Sequence, residues 1–243
     1  MFAIKKWVIN AEHNSVTFHF ECSSFGRFCE EVTFPQATLI AGHQNDQVFC
    51  NLLDLMAGYL GVSYFKLAAL KEIKLELPSS KAGQKSIEKL YTEGLAEFYV
   101  RNGLDYPPLI HFHHESTLKP SRAVPEENLQ KVSASVATVA FGGGKDSHTS
   151  ISLLDKLNVS QELVSVALSN SVKEALQRLS ETEVTFVTRK IDPKLISLTK
   201  QGKGYNGHVP ITAINSIILV AYSYLVGNNW VVFSNEHGAS VPT

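Results

Sequence analysis

The sequence predicts an α/β protein in which a doubly wound parallel sheet follows a smaller α+β domain. From Val136 onward, strand-like apolar segments alternate with helix-like segments, a pattern typical of parallel sheets with crossover helices. The earlier residues lack this alternation, and the segment 116–135 combines two prolines with several charges, as domain boundaries often do. We therefore predict an N-terminal α+β domain over 1–115, a linker over 116–135 and a second domain over 136–243.

The elements of the N-terminal part follow from short-range residue patterns. Alternating apolar and polar residues predict strands, and apolar residues at helical spacing predict helices. The segments 64–70 and 73–77 are compatible with either a helix or a strand. The assigned elements are strands over 16–20 and 31–34 and helices over 49–59 and 86–102.

The second part of the chain alternates regularly between strands and helices. Ligands of such sheets bind outside the carboxyl ends of the strands. We therefore expect the loops that follow the first and the last predicted strand to face one crevice. The predicted strands cover 136–141, 163–168, 184–188 and 230–233, and the predicted helices cover 147–157, 172–179 and 211–226.

A triple glycine joins the first of these strands to its helix, in the sequence Phe-Gly-Gly-Gly-Lys-Asp-Ser at 141–147. Glycines let the backbone approach an anion closely, and the unpaired N–H groups at a helix N-terminus point towards it. Lys145 adds a positive charge, Ser147 a hydroxyl, and Asp146 a carboxylate able to bind a metal ion or cap the helix. The segment therefore predicts a phosphate-binding loop.

Two better-known phosphate-binding motifs do not match this loop. A Walker A loop needs Ser or Thr directly after the Gly-Lys pair, whereas Asp146 stands there. The contiguous glycines also differ from the spaced glycines of a dinucleotide fingerprint. The segment 202–207 does match that fingerprint, but no predicted strand precedes it. We predict instead a loop that brings Lys203, Asn206 and His208 to a helix N-terminus, which favours anions.

The composition argues against several classes of partner. A net charge of −1 provides no basic field for nucleic acid. The longest apolar stretch, 213–226, falls short of the ~20 residues that span a bilayer. Three cysteines without a CxxC pair fit a reducing compartment. We therefore expect a cytoplasmic protein without nucleic-acid or membrane partners.

Two groups of titratable residues leave alternatives open. His111, His113 and His114 could bind a metal ion, but on a strand His114 would point away from the other two. We favour the end of a surface strand for this segment. Glu236 and His237 follow the last predicted strand and could bind metal, orient a hydroxyl or transfer protons. An ordinary polar loop is the equal alternative there.

The glycine loop resembles the Ser-Gly-Gly-x-Asp-Ser signature of the PP-loop ATP pyrophosphatases, with Gly142 where that family usually has serine. Within that superfamily the chain resembles the MurL epimerases, which act on UDP-N-acetylmuramoyl-L-alanyl-L-glutamate in peptidoglycan synthesis. The likeness rests on the segments 141–147, 206–216 and 234–236, with weaker support from 61–66, 97–98 and 102–104.

This resemblance implies an ATP-dependent isomerase that uses Mg²⁺ and forms AMP and pyrophosphate while it inverts the terminal L-glutamate. Its substrate would be a small molecule, the UDP-muramoyl dipeptide, and Asp146 would place the metal ion. The oligomeric state stays open. The implied catalytic residues are Lys145, Asp146, His208, Glu236 and His237. The implied nucleotide-binding residues are Gly142, Gly143, Gly144, Lys145, Ser147, Asn206, Ser234 and Asn235.

Two alternatives to this function stay open. Members of the family continue well beyond the segment that corresponds to 234–236, whereas this sequence ends at Thr243. The resemblance therefore predicts an incomplete nucleotide-binding domain, and an inactive nucleotide-binding remnant is one alternative. The other is a different AMP-forming PP-loop enzyme, such as an amidating ligase or a tRNA-thiolating enzyme. The near-neutral charge and the lack of a CxxC pair argue against thiolation.

Overall fold

The computed structural model describes residues 1–35, 40–115 and 136–234, so the predicted linker over 116–135 lies outside the described residues. The described residues form nine strands and seven α-helices. The strands are β1 (Phe2–Asn10), β2 (Ser15–Cys22), β3 (Gly26–Thr33), β4 (Glu72–Leu75), β5 (His111–His114), β6 (Val136–Ala140), β7 (Ser160–Ala167), β8 (Val184–Lys190) and β9 (Trp230–Val232). The helices are α1 (Gln47–Phe65), α2 (Lys81–Thr92), α3 (Ala96–Arg101), α4 (Lys145–Lys156), α5 (Asn170–Arg178), α6 (Pro193–Lys200) and α7 (Ile211–Val226).

The nine strands belong to one mixed sheet, in the order β5-β4-β1-β2-β3-β8-β7-β6-β9. The pairings β1–β2, β2–β3 and β3–β8 are antiparallel, and the other five pairings are parallel. The predicted α/β class is confirmed, although part of the sheet is antiparallel. Strands from both predicted domains share the sheet because β3 pairs with β8. The division into two domains stays a prediction.

Helices pack on both faces of the parallel part of the sheet that β6, β7, β8 and β9 form. Successive residues of β7 point to opposite faces, as in any strand. Leu163 joins a small core with apolar residues of α4 and α5, whereas Val164 joins the main core with α7. Helix α7 is apolar around most of its circumference, which explains why it packs against both the sheet and α1.

Most predicted elements exist, with shifted boundaries. Helix α7 has the predicted bounds, and the ambiguous segment 73–77 overlaps β4. Strand β1 has no predicted counterpart, because a bulge between Ile4 and Lys6 breaks its apolar alternation. The single helix predicted over 86–102 is wrong. A 3₁₀ turn, Glu93–Leu95, separates α2 from α3, and it contains Gly94, a poor helix former that lies near Pro210.

Helix α1 is long and apolar enough to cross a membrane, and it is the one helix of the described ranges that meets this criterion. Its apolar stretch is 67% buried within the molecule. Core helices of soluble proteins meet the same criterion, so the finding is weak evidence for a membrane span.

A buried ion pair lies where β3 meets β8. Arg189 Nε donates to Glu30 Oε1 at 2.5 Å and Arg189 Nη2 donates to Glu30 Oε2 at 3.3 Å, and neither side chain is more than 2% exposed. Two residues near the end of α1 complete the environment: Tyr64 donates to Glu30, and Arg189 donates to Ser63. Burial near the Glu30 carboxylate raises the pKa of Tyr64, so the hydroxyl stays a donor. The pair thus joins β3, β8 and α1.

Arg189→Met should lower the free energy of unfolding by about 3–5 kcal/mol, because it leaves the Glu30 carboxylate buried without its cation. Urea denaturation followed by circular dichroism measures this loss. The double variant Glu30→Leu/Arg189→Met should be more stable than Arg189→Met alone, since no buried charge remains. The exposed pair Arg178–Glu174 supplies the control, because Arg178→Met should cost less than about 1 kcal/mol. Equal losses for the two arginine variants would contradict this role.

A second buried polar contact joins β1 to α1. Trp7 Nε1 donates to Asp54 Oδ1 at 2.7 Å, and Asp54 is only 6% exposed. Burial raises the pKa of Asp54 to about 6, and the hydrogen bond from Trp7 offsets only part of that rise. The folded protein therefore holds a proton at Asp54 in a pH range where the unfolded chain has lost it.

The raised pKa of Asp54 should make the protein less stable as the pH rises from about 4 to about 6. The unfolded carboxyl ionises near 3.8 and the folded one near 6, so the buried charge costs up to about 3 kcal/mol above pH 6. Asp54→Asn keeps an oxygen for Trp7 and removes the charge. Thermal melts should therefore show a higher Tm at pH 7 and a smaller pH dependence. Glu12→Gln, at an exposed carboxyl, should change neither, and an Asp54→Asn variant no more stable than the parent at pH 7 would refute the raised pKa.

Candidate nucleotide site

The carboxyl ends of β6, β7 and β9 meet at one edge of the sheet. Of the four strands β6, β7, β8 and β9, strand β6 comes first in the chain, yet it lies between β7 and β9 in the sheet. The chain therefore moves outward from β6 in both directions across the sheet, and a crevice forms at such a switch point. The glycine loop follows β6 and Ser234 follows β9, and the structure brings both to one cavity, as the order of elements predicted.

Glycine is required at the centre of the loop. Gly143 has a φ of +72°, a left-handed conformation that other residues adopt only with strain. A Cβ at this position would lie 2.7 Å from Leu179 Cδ1, at the end of α5. The left-handed backbone therefore favours glycine at this position, and a side chain there would also displace the end of the Leu179 side chain.

Ser147 shapes the loop from the first turn of α4. The N–H of Gly142 donates to Ser147 Oγ at 3.2 Å, and Ser147 is buried. The hydroxyl accepts this bond and keeps its own proton to donate to a ligand. Space at Gly142 is ample, because a Cβ would lie 3.9 Å from Ser147 Oγ, its one neighbour within 4 Å. A serine, the usual residue of the PP-loop signature, would fit there.

Two helices begin at this crevice without a side-chain cap. Gly144 is the N-cap of α4 and Pro210 is the N-cap of α7, and neither provides a side-chain acceptor. The N–H groups of the first turns lack intrahelical partners and carry the positive end of the helix dipole. Lys145 starts α4 and is exposed, while Thr212, in the first turn of α7, lines the same cavity as Ser147. Both helix ends therefore offer donors to an anion.

The cavity at the switch point measures about 230 Å³. The glycine loop, the middle of β7, the start of α7 and the residues after β9 form its walls. Asn215 lines it, and Asn215 Oδ1 is buried with no donor among the described residues. A buried acceptor without a partner costs free energy, and an N–H group of a ligand would satisfy it. Because pockets for whole small-molecule ligands measure ~300–1,000 Å³, a cavity of this size suits one part of a ligand.

Asp146 is the acidic residue in the first turn of α4. No group of three His, Cys, Asp or Glu side chains suited to a metal ion occurs within 1–35, 40–115 and 136–234. A metal ion held by protein side chains alone therefore does not fit this part of the chain. Mg²⁺ bound by one carboxylate together with phosphate oxygens does fit, because Mg²⁺ is commonly held in that way.

Strand β5 carries the histidine group, at the end of the sheet far from the glycine loop. His113 Nε2 lies 2.5 Å from Glu72, and His114 Nε2 lies 2.9 Å from Glu88. The two imidazoles therefore pair with different carboxylates. The favoured interpretation, the end of a surface strand, is confirmed as far as the strand is concerned: residues 111–114 form the whole of β5, the first strand in the sheet order.

Asn206 and Gly207 belong to a loop that the N-terminal part of the chain holds in place. Lys66, directly after α1, donates to the carbonyl of Gly207 at 2.9 Å, and burial lowers the pKa of Lys66. Asn102, directly after α3, donates to the carbonyl of Asn206 at 2.9 Å. The sequence predicted a loop here, and this is confirmed, because the described backbone of 202–210 contains neither a strand nor a helix.

The predicted site residues thus fall into three groups. The glycine loop and Ser234 lie together, and Ser150 Oγ lies 2.7 Å from Ser234 Oγ, which ties α4 to the end of β9. Asn206 and His208 lie on the loop before α7 and do not line the cavity at the switch point. The third group lies outside the described residues and consists of Asn235, Glu236 and His237.

Sequence reasoning missed two polar residues that line the cavity, Thr212 and Asn215. They stand three positions apart on an otherwise apolar helix, so they share one face of it. Polar residues at that spacing on a buried helix were the available signal. Lys66, Glu97 and Asn102 lie in segments that support the family resemblance, but their contacts with the loop before α7 could not be predicted, because they span more than 100 positions.

One known protein family matches the chain over its whole length. Residues 1–243 match the family described as MurL N-terminal domain. No solved structure was found to match the chain.

Three curated relatives, each named UDP-N-acetyl-alpha-D-muramoyl-L-alanyl-L-glutamate epimerase, are similar to the chain. The relative from Xanthomonas oryzae pv. oryzae is 33% identical over 240 residues, which is 98% of this chain and 51% of the relative. The relative from Micromonospora sp. is 34% identical over 219 residues, which is 89% of this chain and 47% of the relative. The relative from Salinispora tropica is 35% identical over 216 residues, which is 89% of this chain and 46% of the relative. The chain spans about half the length of these relatives. On the family match and these identities, it belongs to the MurL family and corresponds to its N-terminal domain.

Proposed function

We propose that the chain is the ATP-binding part of a MurL-type epimerase. Such an enzyme inverts the terminal L-glutamate of UDP-N-acetylmuramoyl-L-alanyl-L-glutamate in the cytoplasm, as a step of peptidoglycan synthesis. The name of the relatives supports the reaction and its substrate. One observation carries the ATP site: the bend at Gly143 and two helix N-termini without side-chain caps converge on one crevice. A polyphosphate is the ligand whose charge this arrangement favours.

The arrangement of the last four strands supports the doubly wound PP-loop fold. Strands β8, β7, β6 and β9 are parallel and carry helices on both faces. The glycine loop stands at the carboxyl end of the first of these strands in the chain, at the switch point. Ligands of doubly wound sheets bind at that place.

ATP would explain how a glutamyl centre can be inverted. The C–H bond beside a carboxylate is a very weak acid, because deprotonation would place a second negative charge next to the first. Joining the carboxylate to AMP, with release of pyrophosphate, removes the first charge and allows the enolate to form. Return of a proton to the opposite face, followed by hydrolysis, would give the D-glutamyl product.

The loop residues have complementary roles in this proposal. The backbone amides of 142–144 would bind the phosphates together with Lys145 and the Ser147 hydroxyl. Asp146 would hold Mg²⁺, whose charge neutralises the departing pyrophosphate. Asn215 Oδ1 would accept a hydrogen bond from an amine of the base.

Residues beyond the glycine loop complete the proposed site. Ser234 would contact the nucleotide, and Asn235 stays a predicted nucleotide ligand. Asn206 would line the side from which the muramoyl peptide enters. Glu236 and His237 stay predicted proton carriers.

Asp146→Asn should abolish pyrophosphate release, because the amide cannot hold the metal ion that neutralises the leaving group. The assay supplies ATP, Mg²⁺ and the L-glutamyl nucleotide, and it measures pyrophosphate and the chirality of the glutamate. We expect a loss of at least about 100-fold, as for removal of other groups that stabilise developing charge. Asp155→Asn, on the same helix but away from the loop, should keep the parent rate.

The outcomes of this assay separate the candidate functions. Pyrophosphate together with D-glutamate supports the epimerase. Pyrophosphate that forms only with another acceptor would point to a different AMP-forming PP-loop enzyme. ATP binding without any turnover would identify a nucleotide-binding remnant, and an unchanged rate for Asp146→Asn would remove Asp146 from the mechanism.

Gly143→Ala should weaken ATP binding at least about tenfold and lower the Tm, because the left-handed backbone becomes strained and the new Cβ displaces the Leu179 side chain. Isothermal titration calorimetry and thermal melts measure the two effects. Gly142→Ser is the matched control: the space there accepts a side chain, so affinity and Tm should stay close to the parent values. Equal behaviour of the two variants would show that the bend does not position the phosphates.

A further inference from the structure

The loop that carries His208 is attached to the N-terminal part of the chain at several points. The N–H of Tyr205 donates to the carbonyl of Leu67 at 2.9 Å. Gly204, with a φ of +81°, permits this approach, because a Cβ there would lie 2.5 Å from the same carbonyl oxygen. The rings of Tyr205 and Phe98 meet edge to face, with their centroids 6.3 Å apart. Together with the bonds from Lys66 and Asn102, these contacts define the position of His208.

A carboxylate orients the imidazole of His208. Its Nδ1 lies 3.2 Å from the carboxylate of Glu97, which also accepts a bond from Arg101 Nε at 2.8 Å. A carboxylate beside one imidazole nitrogen favours the tautomer with the proton on that nitrogen, and the other nitrogen becomes a free acceptor. The side chain of His208 is 76% exposed, so a substrate can reach it.

The position of His208 along the chain keeps it close to the cavity at the switch point. His208 precedes Thr212 by four residues, and Thr212 lines the cavity. Four residues span at most about 14 Å. The Cα atoms of His208 and Thr212 are therefore at most about 14 Å apart, and a substrate that extends from the cavity towards the loop can contact His208.

We propose that His208, oriented by Glu97, carries the proton on one face of the activated glutamyl residue. This inference rests on the proposed function. Glu97 is a positioning residue, since it touches the imidazole and not the substrate. The assignment differs from the sequence-based interpretation, which placed proton transfer at Glu236 or His237.

In the proposed step, neutral His208 is the base that removes the α-proton. Nε2 takes the proton from the α-carbon, and the electron pair of the broken C–H bond moves into the activated carbonyl group to form the enolate. Water or a second acid then delivers a proton to the opposite face. The imidazolium then returns its proton to the solvent.

Deuterium incorporation at the glutamyl α-carbon tests this role. The full chain is incubated in D₂O with ATP, Mg²⁺ and the L-glutamyl nucleotide, and exchange between pyrophosphate and ATP is followed in parallel. His208→Gln should reduce deuterium incorporation at least about 100-fold, and Glu97→Gln about tenfold. Pyrophosphate exchange should stay within about twofold of the parent in both, because activation precedes proton transfer. Glu97→Asp should recover part of the lost rate.

Glu93→Gln is the matched control, since this exposed carboxylate one turn earlier pairs with Lys89 and should affect neither reaction. Normal deuterium incorporation in His208→Gln would overturn the inference and leave the proposed function intact. Loss of both deuterium incorporation and pyrophosphate exchange in His208→Gln would assign His208 to nucleotide binding and would also overturn the inference. A parent chain without pyrophosphate exchange would overturn the proposed function, and this inference with it.

Discussion

The arrangement of the molecule depends on the buried charges of Glu30 and Arg189. A charge removed from water is tolerated only beside its partner, so β3 and β8 can meet only in the register that brings the two side chains together. Tyr64 and Ser63 bring the end of α1 to the same point. Lys66 follows directly, and it holds the loop that precedes α7. An ion pair outside the candidate site therefore helps to position the loop that leads into it.

Helix α7 connects the two parts of the candidate site. Its first turn lines the cavity beside the glycine loop, whereas its body packs against α1. The loop before it is bonded to residues that follow α1 and α3. Nucleotide and peptide would thus be bound on surfaces that share one rigid element, which suits a reaction in which activation and proton transfer occur at neighbouring atoms.

Features that depend on short-range chemistry could be predicted from the sequence, and features that depend on distant contacts could not. The glycine loop, the parallel strands that follow it and α7 were foreseen, because turn chemistry and apolar periodicity are local. Strand β1 is not predicted because its bulge interrupts the apolar alternation. The break between α2 and α3 is not predicted because the helical spacing of apolar residues continues across Gly94. Glu97 became a candidate only when the fold placed it beside His208.

The length of strand β9 has a consequence for contacts between molecules. It stands last in the strand order, and within the described ranges only β6 pairs with it. Trp230 is 60% exposed on this strand. Very short edge strands offer few backbone groups for pairing with another chain, and within the described ranges the three residues of β9 fit that description.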